Sequence, residues 1–103
     1  MFYLVTVHID RDIADDWQDW MRRVHIPDVV DTGCFLRAWM CRQPEDDTDG
    51  RLAFRMVYLA ESREEFQRYQ NDFAAALQAD HTERYEGRFK ASRSLCDVLD
   101  NWP

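Results

Sequence analysis

Glycine and proline are scarce in this 103-residue chain, with three of each. So few breaking residues predict long elements joined by few loops. Cysteine is scarce too. Cys34, Cys41 and Cys96 are an odd number with no C-x-x-C pair, which argues against a disulfide framework or a zinc module. Reduced thiols of this kind fit a cytoplasmic protein. No apolar run approaches the ~20 residues of a membrane span. The opening stretch MFYLVTVHID has no basic region and no small-residue cleavage site, so it reads as a strand and not as a signal peptide. Basic charge is in deficit, with a net charge of −7, which disfavours nucleic acid and anionic membranes as partners. There is no G-x-S-x-G elbow for a nucleophilic triad and no H-x-H or H-x-x-x-H spacing for a metal site. Repeats, low-complexity tracts and linkers are missing, so residues 1–103 are expected to form a single domain.

What remains is a globular composition, 46% hydrophobic and 32% charged. At this length folding buries roughly two-thirds of the unfolded chain's surface, enough for a core without staples.

Phe2 to Ile9 is rich in β-branched and aromatic residues and apolar on both faces, as in a central strand covered on both sides. Ile13, Trp17, Trp20, Met21 and Val24 follow at helical spacing, behind Asp10 and Asp12 as candidate N-caps. Pro27 disfavours a helical Ile26, so this helix is expected to break near His25, with a short turn IPDVVDT closed by Gly33. Cys34 to Arg42 reads as a second strand, Gln43 to Gly50 as an acidic hairpin loop, and Leu52 to Ala60 as a third strand. The run SREE from Ser62 is a capping box. The helix it opens is expected to reach Tyr85, with a kink near Asn71-Asp72 and Gly87 as its stop. Phe89 to Leu99 is the last strand, and its alternation slips at Ser94-Leu95 as if at a bulge.

The order βαββαβ is the ferredoxin-like, split-βαβ pattern: an α+β fold with a four-stranded antiparallel sheet and both helices on one face. The other face then keeps Phe2, Leu4, Val57 and Leu59. An uncovered patch of that size predicts a homodimer packed sheet to sheet.

Four segments carry a resemblance over nearly the whole chain: YLVTVHID, DWQDWMRRVHIPDVVDTG, FRMVYLAES and LQADHTERYEGRFKASRSLCDVL. They resemble a bacterial domain-of-unknown-function family, number 4286. That family is similar to the ferredoxin-like dimeric α+β barrels. The resemblance implies the fold and the homodimer, and it implies no particular activity. Related barrels include monooxygenases, dehalogenase-like enzymes, mutarotases and proteins without known chemistry, and several have a histidine near the end of the first helix, as His25 is here. Ala75 and Ala76 depart from the proline break expected of members, and Ala91 to Arg93 lacks the usual aromatic residue.

Two groups of residues are candidates for function. His25 and Tyr58, with Arg55 if the strand bends, would form a catalytic site. A neutral imidazole moves protons near pH 7, and a phenol or guanidinium steadies an oxyanion. The plainer alternative has His25 bonding a backbone carbonyl at a helix end. His81, Arg84 and Arg93 would bind an anionic small molecule, or else complement the helix dipole and pair with Asp80, Glu83 and Glu86. With the C-terminal end of the first strand as the top, the topology sends His25 and Tyr58 to the bottom and His81 and Arg84 to the top. No His25/His81 pair is then expected within one chain. Trp17, Trp20 and Trp39 are expected in the core. No cofactor and no metal is expected. Function divides between a cofactor-independent enzyme or small-molecule binder near His25 and a non-enzymatic interaction domain acting through its dimer.

Overall fold

The structure is a computed structural model and describes residues 1–103. Strand β1 (Phe2–Asp10) leads through a short 3-10 turn into helix α1 (Ala14–Trp20). A π turn (Met21–His25) passes directly into helix α2 (Ile26–Asp31). Strands β2 (Arg37–Arg42) and β3 (Arg51–Leu59) form the hairpin, helices α3 (Arg63–Asp72) and α4 (Ala74–Tyr85) follow, and β4 (Phe89–Cys96) closes the sheet. All the strand pairs are antiparallel, in the order β2-β3-β1-β4. This is the ferredoxin-like α+β arrangement, with β1 and β3 central.

The helical segment does not break at His25. Pro27 lies in the first turn of α2, directly after the π turn, so its missing N–H falls where the bonding changes from π to α. The extra room comes from the π turn before it, in which the Ile26 N–H reaches back five residues to the Met21 carbonyl. The buried positions explain why a wider turn is needed. Ala14, Trp17 and Met21 keep helical spacing, but the next fully buried residue, Val29, comes eight positions after Met21. At about 100° per residue, a regular α-helix would rotate Val29 roughly 80° off the buried face. Absorbing one residue in the π turn brings it back.

The second helical segment does break, at Phe73 (φ −129°), next to the Asn71-Asp72 position read from the sequence. Ser62 caps α3 by accepting the Glu65 N–H at 3.2 Å. Gly87 turns the chain toward β4 with φ +76°, a conformation that costs glycine little. Other expectations need correction. Asp10 does not cap a helix. Its carboxylate accepts from Arg51 and Arg88, each at 2.7 Å, and so ties together the ends of β1, β3 and β4. The β1–β4 register runs unbroken from Phe2–Cys96 to Ile9–Phe89, so there is no bulge at Ser94-Leu95. Strand β2 begins at Arg37, because Cys34 and Phe35 before it are buried in the core.

The odd-numbered residues of β1 face the helices, and Tyr3, Val7 and Ile9 are buried there beside Phe54, Met56 and Tyr58 of β3. Burying each aliphatic or Phe side chain of this core contributes about 1.5–3 kcal/mol. The even-numbered residues lie on a face that no helix covers. Its lower half is apolar: Phe2, Leu4, Val57, Leu59 and Trp39, which stands opposite Val57 and is 37% exposed rather than in the core. Its upper half is polar. There the Arg55 Nε donates to the Thr6 hydroxyl at 3.1 Å, and His8 meets the Asp46 carbonyl.

Candidate functional site

A cavity of about 40 Å³ lies between the helices and the centre of the sheet. Val5 and Val7 of β1, Met56 and Tyr58 of β3, and Phe89, Ala91 and Arg93 of β4 form its floor and one side. Met21 and His25 of the π turn and Gln78, His81 and Thr82 of α4 close it from above. Ligand pockets for drug-sized molecules run to about 300–1,000 Å³. This space therefore admits a few waters, or the head group of a molecule whose body stays outside.

The two histidines expected at opposite ends meet here, with ring centroids 5.6 Å apart and edge to face. The expectation failed because it placed His25 at a helix end. His25 is in the middle of a continuous helical segment that runs on to Asp31, and His81 is in the middle of α4. Both therefore sit over the middle of the sheet. The π turn also stacks His25 on Trp20 five residues earlier, at 5.4 Å. In a regular α-helix, residues five apart point well away from each other.

The two imidazoles differ in what they have free. Buried Trp17 donates its indole N–H to the His81 Nε2 at 2.9 Å. An indole can only donate, so Nε2 carries the lone pair and the neutral ring holds its proton on Nδ1. Burial keeps the ring neutral, with its pKa lowered to about 4, helped by the neighbouring His25 and Arg93. His25 is half-buried, and no protein group bonds either of its ring nitrogens, so the helix-end carbonyl bond considered from sequence is not made. Desolvation lowers its pKa, against a weaker raising effect of Asp28 and Asp80. Both rings are therefore neutral at pH 7.

Tyr58 shares the cavity with His25. Burial, with Tyr69 and Tyr3 nearby, raises its pKa, so it remains a phenol. Arg93 is at the rim, on the helix-facing side of β4 and opposite Val5. Arg84 is elsewhere. Its Nε donates to the Tyr85 hydroxyl at 3.1 Å, its guanidinium lies over Trp20, and it approaches Asp16 at 3.9 Å. Arg55 does not join His25, because β3 does not bend and Arg55 stays on the open face. Of the five residues singled out from sequence, His25, Tyr58, His81 and Arg93 come together, and Arg84 does not. Trp17 as the partner of His81, and Gln78 and Thr82 in the lining, were missed. The apolar stripe of the first helix placed Trp17 in the core but gave no sign of its hydrogen bond. No third metal-ligating side chain joins the two histidines.

Residues 1–99 match the family described as Domain of unknown function (DUF4286). No curated protein matches the chain. Several solved structures share its fold. SnoaB from Streptomyces nogalater, described as a cofactor-independent oxygenase, is 11% identical with a TM-score of 0.71, over 99% of this chain and 96% of its own. HapK from Hahella chejuensis is 13% identical with a TM-score of 0.65, over 100% and 98%. A dimeric ferredoxin-like protein from an uncultured marine organism is 12% identical with a TM-score of 0.67, over 100% and 99%. At such identities the likeness concerns the fold.

Proposed function

We propose that this chain, which belongs to the DUF4286 family, is a cytoplasmic homodimer that handles a small molecule in the cleft at His25, by cofactor-independent acid–base chemistry. One observation carries this: a half-buried, neutral histidine lines a cavity with no protein partner on either ring nitrogen. Most buried side-chain polar atoms have a hydrogen-bond partner, and the half-buried ring of His25 is left to bond water or a ligand. His25 is the proton acceptor in this reading, Tyr58 is a neutral hydrogen-bonding wall, and the apolar floor keeps water low. General-base assistance of this kind is worth about 10²–10⁴-fold in rate. The cofactor-independent oxygenase of the same fold supports the idea that such a cleft can work without a bound group. Dimeric relatives and the apolar half of the open face support the homodimer.

The test is a thermal-shift screen against a broad metabolite library, on the wild type and on His25→Ala. The expected result is at least one compound that raises the wild-type Tm and leaves His25→Ala unmoved, while the two unliganded proteins melt within a few degrees of each other. A library with no effect, or a His25→Ala protein that does not fold, would favour the second reading. In that reading the chain is an interaction domain acting through its dimer, as the apolar half of its open face also suggests.

A further inference from the structure

The lining of the cavity is electrically one-sided, with Asp28 and Asp80 acting on His25 from outside it. The chain holds 20 Asp and Glu residues against 13 Lys and Arg, yet no carboxylate lines this cavity. Its polar side chains are His25, Tyr58, Gln78, His81, Thr82 and Arg93. Arg93 is the only formal charge among them. Several arginines elsewhere are paired, Arg42 with Asp47, Arg51 and Arg88 with Asp10, Arg63 with Asp97, while Arg11 and Arg55 donate to neutral oxygens. Arg93 has no carboxylate partner and stands near the Tyr3 hydroxyl.

His81 adds a directed donor. With Nε2 taken by Trp17, its Nδ1–H is left, and no protein acceptor receives it. Gln43 Oε1 is the one buried side-chain polar atom fully sealed without a partner, so the Nδ1–H is not shut inside the core. His81 and the cation Arg93 both line the cavity, and no carboxylate lines it with them. Beside them, Leu95 follows Arg93 on the same side of β4 and is 43% exposed, a place for an apolar body to rest.

From this juxtaposition we infer that the cavity receives the anionic oxygen of an organic acid, a carboxylate or an enolate. His81 Nδ1–H and Arg93 are the donors, and Trp17 is a positioning residue that fixes the His81 tautomer. This rests on the reading of the cleft as a small-molecule site and names the class of molecule. Charge-assisted hydrogen bonds to a partly buried oxyanion are stronger than neutral ones, so the charge on the ligand should decide binding.

The probes are benzoate and its neutral isostere benzamide, titrated at pH 7 into the ¹⁵N-labelled protein and followed by imidazole and guanidinium NMR. The free protein should show His81 as the Nδ1–H tautomer. Benzoate should shift His81 Nδ1 and Arg93 Nε saturably, and benzamide should not. Arg93→Gln should weaken benzoate about tenfold or more. Trp17→Phe should mix the His81 tautomers and weaken benzoate as well; if it does not fold, Arg93→Gln carries the test alone. Equal binding of the two probes, unchanged affinity in Arg93→Gln, or an Nε2–H tautomer at His81 would overturn the inference and leave the cleft as a site for neutral molecules. If neither probe shifts either imidazole, the inference falls, and the small-molecule reading stands or falls with the thermal-shift screen.

Discussion

The two faces of one sheet make opposite use of the same strands. On the helix face, Tyr3, Val7 and Ile9 of β1 are sealed beneath the helices, with Tyr3 5.0 Å from Phe66 and Trp17 5.0 Å from Phe54. The polar groups there sit around a cavity. On the open face, the even positions of β1 are half-exposed, apolar at one end and hydrogen-bonded at the other. The contrast separates two requirements that strand composition alone merges. The first face satisfies the chain's own folding and shapes a cleft. The second is a surface that water covers poorly and a second copy would cover well.

Three experiments would break or sharpen this contrast. Trp17→Ala should have the largest effect, because it removes a fully buried indole and leaves His81 Nε2 unpaired. A loss of about 3–5 kcal/mol in urea unfolding is expected; a loss below ~1 kcal/mol would mean the cleft is not part of the core. Leu4→Glu on the open face should act differently, splitting the proposed dimer while the monomer keeps its fold. Light scattering should then fall from twice the 12.4 kDa chain mass to that mass, with an unchanged circular dichroism spectrum. A wild type that is already monomeric at micromolar concentration removes the dimer from the account.

Acid should have the smallest effect, and it should act through the cleft. His81 is held neutral in the folded state, with a pKa of about 4, below its ordinary 6.5. Its contribution to stability is therefore complete above about pH 6.5 and is lost as the pH falls toward 4, because the unfolded chain binds the proton first. A decline on the order of 2–3 kcal/mol across that window is expected, before Asp10 and Asp47 begin to protonate at lower pH. Chemical unfolding at several pH values would measure it, and His81→Gln should reduce the slope to the part that His25, also lowered by burial, contributes.

The fold was legible because its signals are local. Two-sided apolarity marked β1 as central, SREE marked the start of α3, and Gly87 marked the end of α4. The apolar half of the open face could also be read, from Phe2, Leu4, Val57 and Leu59. The cleft could not be assembled in the same way. Pro27 reads as the end of a helix, since the usual steric rule penalises a helical Ile26, yet Ile26 is helical here (φ −63°, ψ −45°), after a π turn that leaves no compositional mark. The sign available was one of phase: the step of eight from Met21 to Val29. The bond between Trp17 and His81 joins residues 64 apart, which no spacing rule links. Once His25 was placed at a helix end, the expected positions of both histidines were wrong together.

The π turn from Met21 to His25 also gives a way to sort relatives by counting. It behaves as one inserted residue whose effect is absorbed locally, with Trp17 and Val29 in phase on either side. A homologue one residue shorter between Met21 and Val29 would keep this sheet, this core and this helix direction, with an ordinary α turn instead. In such a chain the counterparts of Trp20 and His25 would be four apart, the histidine would take a different tilt over the sheet, and the neighbouring proline would lose the room it uses here. Helix length at this one place, read from an alignment, would therefore divide the family into chains that share this cleft and chains that share only its fold.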